Sequence, residues 1–248
     1  MLHAINAKKA RLDRVIDGIG KQPRENLITS ALFGTIEFLS APAQKLALRA
    51  LIGLELPGNA EIFLWPYLRH LKENAEPDVV LRVSTERGPV YWVVEVKWGA
   101  PFGNEQIGRE IRTLRDGECY RGGLPAEYRK VIGYVLLGAE TKHAEAMQEA
   151  EGELPDLSFH SVTWPEATNR LRRLAAESCG DSGLAAWART AGDFLRGTPR
   201  GSVLVPWPPD IMMPRAESFT FAAGRQFDFK NSVGSVTAAQ SNFTKRDI

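Results

Sequence analysis

Residues 76–98 read EPDVVLRVSTERGPVYWVVEVKW, and this stretch decides how the rest of the chain is interpreted. Two runs rich in β-branched and aromatic residues, 79–85 and 90–98, flank the turn-forming sequence ERGP. This pattern predicts a β-hairpin. We expect Arg87 and Gly88 to form its two-residue loop.

The register of the hairpin determines whether three ionisable side chains lie together. The two-residue loop places Asp78 opposite Lys97 and Val80 opposite Glu95. Because alternate residues of a strand share a face, we expect Asp78, Glu95 and Lys97 on one side of the sheet, with the carboxylates roughly 7–8 Å apart at Cβ. A cation could bind between them. A loop one residue longer would turn Asp78 to the opposite face unless a β-bulge compensated.

Glu95 and Lys97 interrupt an otherwise apolar run, which is typical of a strand covered on both faces. A buried ionised carboxylate is costly unless it is paired or binds a metal, so two charges here indicate a specific role. The alternative is a half-exposed edge strand on which Glu95 and Lys97 face water.

Pro77 and Asp78, followed by Glu95, Val96 and Lys97 on the next strand, resemble the active-site pattern of the PD-(D/E)XK nuclease superfamily. The resemblance covers about residues 23–138. It implies an α/β fold with a mixed central sheet flanked by helices. More specifically, it implies a restriction-endonuclease-like αβββαβ core with C-terminal helical and hairpin additions.

Two further residues match positions at which members of this superfamily often carry functional side chains. Glu25 lies on the first predicted core helix, and Gln106 lies on the helix after the Lys97 strand. Glu25 could instead complement the dipole of the helix from its first turn. Gln106 could instead be an ordinary surface residue.

The resemblance implies metal-dependent hydrolysis of phosphodiester bonds, most simply by a DNA endonuclease in antiviral defence or DNA repair. Asp78, Glu95 and the main-chain carbonyl of Val96 would bind Mg²⁺, with Mn²⁺ as a substitute. Lys97 would orient or help to deprotonate the attacking water. Glu25 would bind a cation through water or complete a second metal site, and Gln106 would hydrogen-bond a phosphate, a base edge or Lys97. The alternative is a catalytically inactive module of the same fold that binds nucleic acid or a protein partner.

Composition supports a globular protein without specifying its partners. The 248 residues are 44% hydrophobic and 25% charged, and the net charge of +1 gives no overall nucleic-acid signature. No apolar run is long enough to span a bilayer and the charged N-terminus is unlike a signal peptide, so we expect a cytoplasmic protein. Cys119 and Cys179 lack the spacing of a zinc site. A homodimer or a protein partner is compatible with the sequence.

Residues 1–200 are expected to form the nuclease-like domain, and residues 201–248 an extended connector, a β-hairpin around Ala223 and Gly224, and a polar tail. The other predicted elements of the domain are a helix over 23–39, a helix over 42–52 with Leu46 and Ala50 inward, a strand within 61–72, a helix capped by Asn104 with Ile107, Ile111 and Leu114 buried, a strand over 130–137, an acidic helix over 142–151, a strand over 157–164, and two C-terminal helices.

Overall fold

The structure is a computed structural model that describes residues 25–178, 180–196, 219–220 and 226–227. The helices are α1 (Glu25–Leu32), α2 (Ala41–Ile52), α3 (Gln106–Asp116), α4 (Ala144–Glu153), α5 (Trp164–Glu177) and α6 (Ser182–Arg196). The strands are β1 (Ala60–Leu64), β2 (Tyr67–His70), β3 (Glu73–Ala75), β4 (Val79–Val83), β5 (Val90–Val96), β6 (Glu118–Arg121), β7 (Lys130–Leu137), β8 (Ser158–Val162), β9 (Phe219–Thr220) and β10 (Gln226–Phe227).

A five-stranded mixed sheet forms the centre of the first unit of the chain, residues 1–203. Its strand order is β1-β4-β5-β7-β8. β4 is antiparallel to both of its neighbours, β1 and β5, whereas β5, β7 and β8 run parallel to one another. The expected α/β architecture, a mixed sheet flanked by helices, is therefore confirmed.

The two faces of this sheet pack against different helices. Alternation along β4 and β5 sends Val79, Leu81 and Val94 toward a core that includes residues of α1, α2, α5 and α6. It sends Val80 and Val93 toward a second core formed with α3 and α4. Helices cover both faces, which explains why β5 and β7 read as nearly continuous apolar runs.

A second, three-stranded sheet has the order β3-β2-β6. We call it the accessory sheet. Its hairpin, β2 and β3, lies in the chain between β1 and β4, which are themselves neighbours in the central sheet. The hairpin is therefore an excursion that leaves the central sheet after Leu64 and returns at Val79.

The hairpin of β4 and β5 differs from the predicted one in its register. Val79 pairs with Val94 and Val83 with Val90, so the turn is centred on Glu86 and Arg87, one residue earlier than the expected Arg87 and Gly88. The turn is closed by Gly88 N, which donates to the carbonyl of Thr85, with Gly88 at φ +104°. Proline has no N–H, so Pro89 cannot form the backbone pair with Glu86 that the predicted loop of Arg87 and Gly88 required.

Several helix boundaries also differ from the predictions. The helix expected over 23–39 ends at Leu32, and a turn leads into a short 3₁₀ helix, Ile36–Phe38. In α2, Leu46 is 41% exposed rather than inward, whereas Ala50 is buried as expected. The strand over 130–137 is confirmed. Among the described residues, no helix has the length and apolar character needed to cross a bilayer.

The second unit, residues 204–248, is described by two short strands. In this pair, Thr220 lies opposite Gln226 and Phe219 opposite Phe227 in an antiparallel arrangement. The predicted connector, the turn at Ala223 and Gly224, and the polar tail lie outside the described residues.

Candidate functional site

Asp78, Glu95 and Lys97 share one face of the central sheet. The observed register, continued by one residue, places Asp78 directly opposite Glu95 rather than opposite Lys97. This register differs from the predicted one by two residues, and a shift of two preserves the face on which each side chain lies. All three residues therefore lie on the side of the sheet that packs on α3 and α4.

Glu95 and Lys97 form a buried ion pair. Lys97 Nζ lies 2.8 Å from Glu95 Oε1, and both residues are 5% exposed. Burial lowers the pKa of Lys97, but attraction from Glu95, with Glu25 and Asp78 further away, outweighs it and raises the pKa above its ordinary value. Lys97 Nζ also lies 4.8 Å from the centre of the Phe102 ring. Lys97 is thus a buried ammonium group whose surroundings favour its charged form.

The backbone around Lys97 is fixed by bonds to two neighbouring elements. Lys97 N donates to the carbonyl of Leu137 at 2.8 Å, which continues the pairing of β5 with β7. The indole Nε1 of Trp164 donates to the carbonyl of Lys97 at 2.9 Å. Side-chain placement at Lys97 is therefore determined by packed secondary structure rather than by a loop.

Gln106, the first residue of α3, connects the ion pair to a further acid. Its Nε2 donates to Glu95 Oε1 at 2.6 Å and to Glu110 Oε1 at 2.7 Å. Its Oε1 accepts from Lys97 Nζ at 3.2 Å and from Gly103 N at 3.1 Å. Of the roles considered for Gln106, the structure shows the contact with Lys97.

Asp78 accepts hydrogen bonds from a residue of β5 and from the residue that follows β1. Its Oδ2 accepts from Val96 N at 3.0 Å, and its Oδ1 accepts from the indole Nε1 of Trp65 at 3.2 Å. Burial and repulsion from Glu95 raise the pKa of Asp78 well above its usual range, despite the bond from Val96. The side chain of Asp78 is therefore fixed in position, and its surroundings disfavour the ionised form.

Glu25 reaches the same region from α1. Its Oε1 accepts hydrogen bonds from the backbone N–H groups of Trp98 and Ala100, in the segment that follows β5. Its charge also contributes to the raised pKa values of Lys97 and Asp78. The five residues selected from the sequence, Glu25, Asp78, Glu95, Lys97 and Gln106, therefore lie in one region of the fold.

Two residues of the network were missed in the sequence. Glu110 is 3% exposed, and its Oε2 accepts from the hydroxyl of the fully buried Tyr134 at 3.0 Å. Burial and the nearby Glu95 raise the pKa of Glu110 well above its usual range. In the sequence, Glu110 lies among arginines and other acids, a composition typical of an exposed helix face. Its position four residues after Gln106, on the same helix face, was the available signal.

The predicted start of α3 also needs correction. Asn104 is not the N-cap, because Glu105 takes that position with a left-handed φ of +50° and makes no side-chain capping bond. The predicted buried stripe of Ile107, Ile111 and Leu114 is confirmed. The first-turn position of Gln106 lets its side chain point back toward β5.

The donor chemistry of this region fits a hard divalent cation. Its carboxylates, Glu25, Asp78, Glu95 and Glu110, supply only oxygen donors, and burial together with repulsion from Glu95 raises the pKa values of Asp78 and Glu110. Among the described residues, no hydrogen bond involves Glu95 Oε2. In the described part of the chain, no group of three or more His, Cys, Asp or Glu residues is already arranged around a metal position. Val96 contributes its N–H to Asp78, and the role of its carbonyl stays a prediction.

An acidic cleft of about 390 Å³ opens beside Gln106 and Phe102. It lies between the start of α3 and the helix α4, and its acidic lining residues are Glu105, Glu145, Glu149 and Glu153. Such a lining repels a phosphodiester backbone. A nucleic acid would therefore have to approach the region of Asp78 and Glu95 from a different side.

Comparisons of the chain with protein-family models, with curated proteins and with solved structures found no significant match. The functional argument consequently depends on the geometry of the site.

Proposed function

We propose that the protein is a metal-dependent nuclease that hydrolyses phosphodiester bonds, with DNA as its substrate and Mg²⁺ as its cation. The observation that carries the proposal is the convergence of two opposed acids, Asp78 and Glu95, with a buried ammonium group, Lys97. A fold gains no stability from crowding carboxylates in a buried region, so their retention favours a chemical role.

The order of elements supports the same proposal. α1, β1, β4, β5, α3 and β7 occur in this order as helix, three antiparallel strands, helix and parallel strand, if α2, the hairpin of β2 and β3, and β6 are regarded as additions. This order resembles the αβββαβ core expected of a PD-(D/E)XK nuclease. The acids and the lysine lie on or directly beside β4 and β5, the strands on which the resemblance expects them.

Each residue has a role that follows from its contacts. Asp78 and Glu95 would hold the cation, and Mn²⁺ would replace Mg²⁺ because both take oxygen ligands. When bound, the cation would polarise the scissile phosphate and acidify a water molecule. Lys97 would orient the attacking water and would offset negative charge that develops on the phosphate. Gln106 holds Lys97 and Glu95 in place, and Glu25 holds the segment after β5.

The test is single-turnover cleavage of linear, circular and single-stranded DNA, and of RNA, with Mg²⁺ or Mn²⁺. We expect Glu95→Gln and Lys97→Arg to lower the cleavage rate by at least about 100-fold, because each alters a group that acts on the transition state. Glu86→Gln and Lys130→Arg are matched controls on exposed residues, and both should cut like the wild type. Unfolding curves of all variants exclude loss of the fold as the cause.

A second function, a binding module without turnover, is favoured by one observation. Glu95, Lys97 and Gln106 satisfy one another in a closed network that needs no ligand. In that case Lys97→Arg would leave the protein's affinity for nucleic acid unchanged, with no activity to lose. If the wild type cuts none of these substrates with either metal, the nuclease proposal fails and the module takes its place.

A further inference from the structure

The outward face of the accessory sheet carries a cluster of tyrosines and arginines, of which Tyr67 is half-buried and the others are exposed. Along β2, Leu68 points into the core, whereas Tyr67 and Arg69 are on the opposite face. On β6, Cys119 packs against the same core, whereas Tyr120 is 59% exposed. We call the cluster of Tyr67, Arg69, Tyr120 and Arg121 the aromatic face.

Arg69 lies at the centre of the aromatic face. Its guanidinium carbon is 5.1 Å from the centre of the Tyr67 ring and 4.9 Å from the centre of the Tyr120 ring. Its Nε donates to the hydroxyl of Tyr67 at 3.3 Å. Among the described residues, no carboxylate forms an ion pair with Arg69, whereas Arg121 pairs with Glu76. Arg69 is therefore an exposed cation, held in place by two rings, for which the described part of the chain provides no ion-pair partner.

The aromatic face begins next to the candidate site. Only Pro66 separates Tyr67 from Trp65, the residue whose indole donates to Asp78. Glu76, the partner of Arg121, is two residues before Asp78. Tyr67 and Arg121 also pair directly across β2 and β6. The face thus starts at the end of the central sheet where Asp78 and Glu95 lie.

We propose that the aromatic face binds a single-stranded segment of nucleic acid and leads it toward the candidate site. Bases stack on the rings of Tyr67 and Tyr120, since every base has a π-face. The guanidinium group of Arg69 binds a phosphate of the strand. A strand bound to this surface would reach the candidate site without passing the acidic cleft beside Gln106. The inference rests on the proposed function for the claim that the bound strand reaches a cleavage site, but the binding itself requires no cleavage.

The ordinary alternative is that these side chains only stabilise the accessory sheet through cross-strand contacts. The two readings differ in what a conservative change does. Tyr120→Phe keeps the ring and should keep strand binding, whereas Tyr120→Ala removes it. Arg69→Lys keeps the charge but loses the planar group that lies between the rings.

The experiment measures binding of a fluorescently labelled 20-nucleotide oligothymidylate, its RNA counterpart and a DNA duplex, in EDTA so that no cleavage occurs. We expect the full chain to bind single strands more tightly than duplex. Tyr120→Ala and Arg69→Ala should each raise the dissociation constant at least about fivefold, and Tyr120→Phe should not. Arg69→Ala should also lower the slope of log affinity against log salt by about 0.7. Phe38→Ala, which truncates another exposed aromatic residue, is the matched control.

Each outcome assigns failure to one proposal. Absence of single-strand binding, or equal binding by the wild type and both alanine variants, overturns the aromatic face while leaving the nuclease proposal to its own assay. Strand binding that depends on Arg69 and Tyr120 without cleavage under any metal overturns the nuclease proposal and retains the face as a binding surface. Unfolding curves confirm that the alanine variants are folded.

Discussion

Replacing Lys97 by methionine is the perturbation that most directly probes the buried network. At the observed 2.8 Å between Lys97 Nζ and Glu95 Oε1, the Coulomb attraction is about 6 kcal/mol at an effective dielectric constant of roughly 20. Desolvation of both groups offsets part of this attraction. Removing one partner of such a buried pair typically costs about 3–5 kcal/mol, and we expect a loss in that range at pH 8.

The loss should depend on which partner is removed and on pH. Lys97 is the cation that neutralises several acids, so Lys97→Met should cost more than Glu95→Gln, which leaves the ammonium group near Asp78 and Glu25. In the folded protein the pKa of Asp78 is already above its unfolded value, and loss of the ammonium raises it further. A carboxyl with a raised folded pKa destabilises the fold as pH rises through that pKa, so the deficit should shrink from pH 8 to pH 5.

Urea unfolding of the wild type, Lys97→Met, Glu95→Gln and the double variant at both pH values provides the measurement. With a denaturant dependence of about 2 kcal/mol per molar, the expected loss lowers the unfolding midpoint of Lys97→Met by roughly 1.5–2.5 M at pH 8. The double variant should recover part of this loss because it removes the orphaned charge. A loss below about 1 kcal/mol in Lys97→Met, or a larger loss in Glu95→Gln, would refute the reasoning.

Three further predictions concern the same strands and helix. Glu110→Gln can keep the bond from Gln106 at its amide oxygen, while its NH2 group donates to the Tyr134 hydroxyl instead of accepting from it. It removes a carboxyl whose pKa is raised by burial, so it should stabilise the protein by about 1 kcal/mol at pH 8 and less at pH 5, as measured by urea unfolding. Asp78→Asn and Glu95→Gln should each weaken Mn²⁺ binding at least about tenfold by titration calorimetry, and unchanged affinity in both would contradict the assignment of the ligands. Gly88→Ala should cost about 1–2 kcal/mol because φ is +104° there, while Mn²⁺ affinity stays unchanged because the turn lies at the end of the hairpin away from the acids.

Strand pattern and spacing were sufficient to predict which face of the sheet carries the candidate site. The face assignment of Asp78, Glu95 and Lys97 depends only on whether the partner numbers sum to an odd or an even value, so it remained valid although the turn lies one residue earlier than expected. The register itself could not be derived in this way. It depends on the turn closed by Thr85 and Gly88, and several turn types fit the same residues.

The inner acid of the network was harder to predict, because burial of Glu110 is a tertiary property. Helix α3 carries arginines and acids on most of its surface, and the composition around Glu110 is that of a solvated helix. Its burial comes from the packing of α3 against β7, where Tyr134 supplies the hydroxyl. β6 was missed for a similar reason, since four residues that pair only with β2 contain too short a pattern to distinguish a strand from a loop.

The hairpin of β2 and β3 enters and leaves the central sheet at adjacent positions, with Trp65 N donating to the carbonyl of Asp78 at 3.0 Å where the two chain segments meet. An insertion with closed ends can lengthen, shorten or be exchanged while the strands that carry the acids keep their pairing. In a nuclease of the proposed kind, the metal chemistry and the selection of substrate would then be encoded in separable segments of the sequence. We expect that grafting a different hairpin between residues 66 and 77 alters which nucleic acids the protein binds and leaves its affinity for Mn²⁺ unchanged.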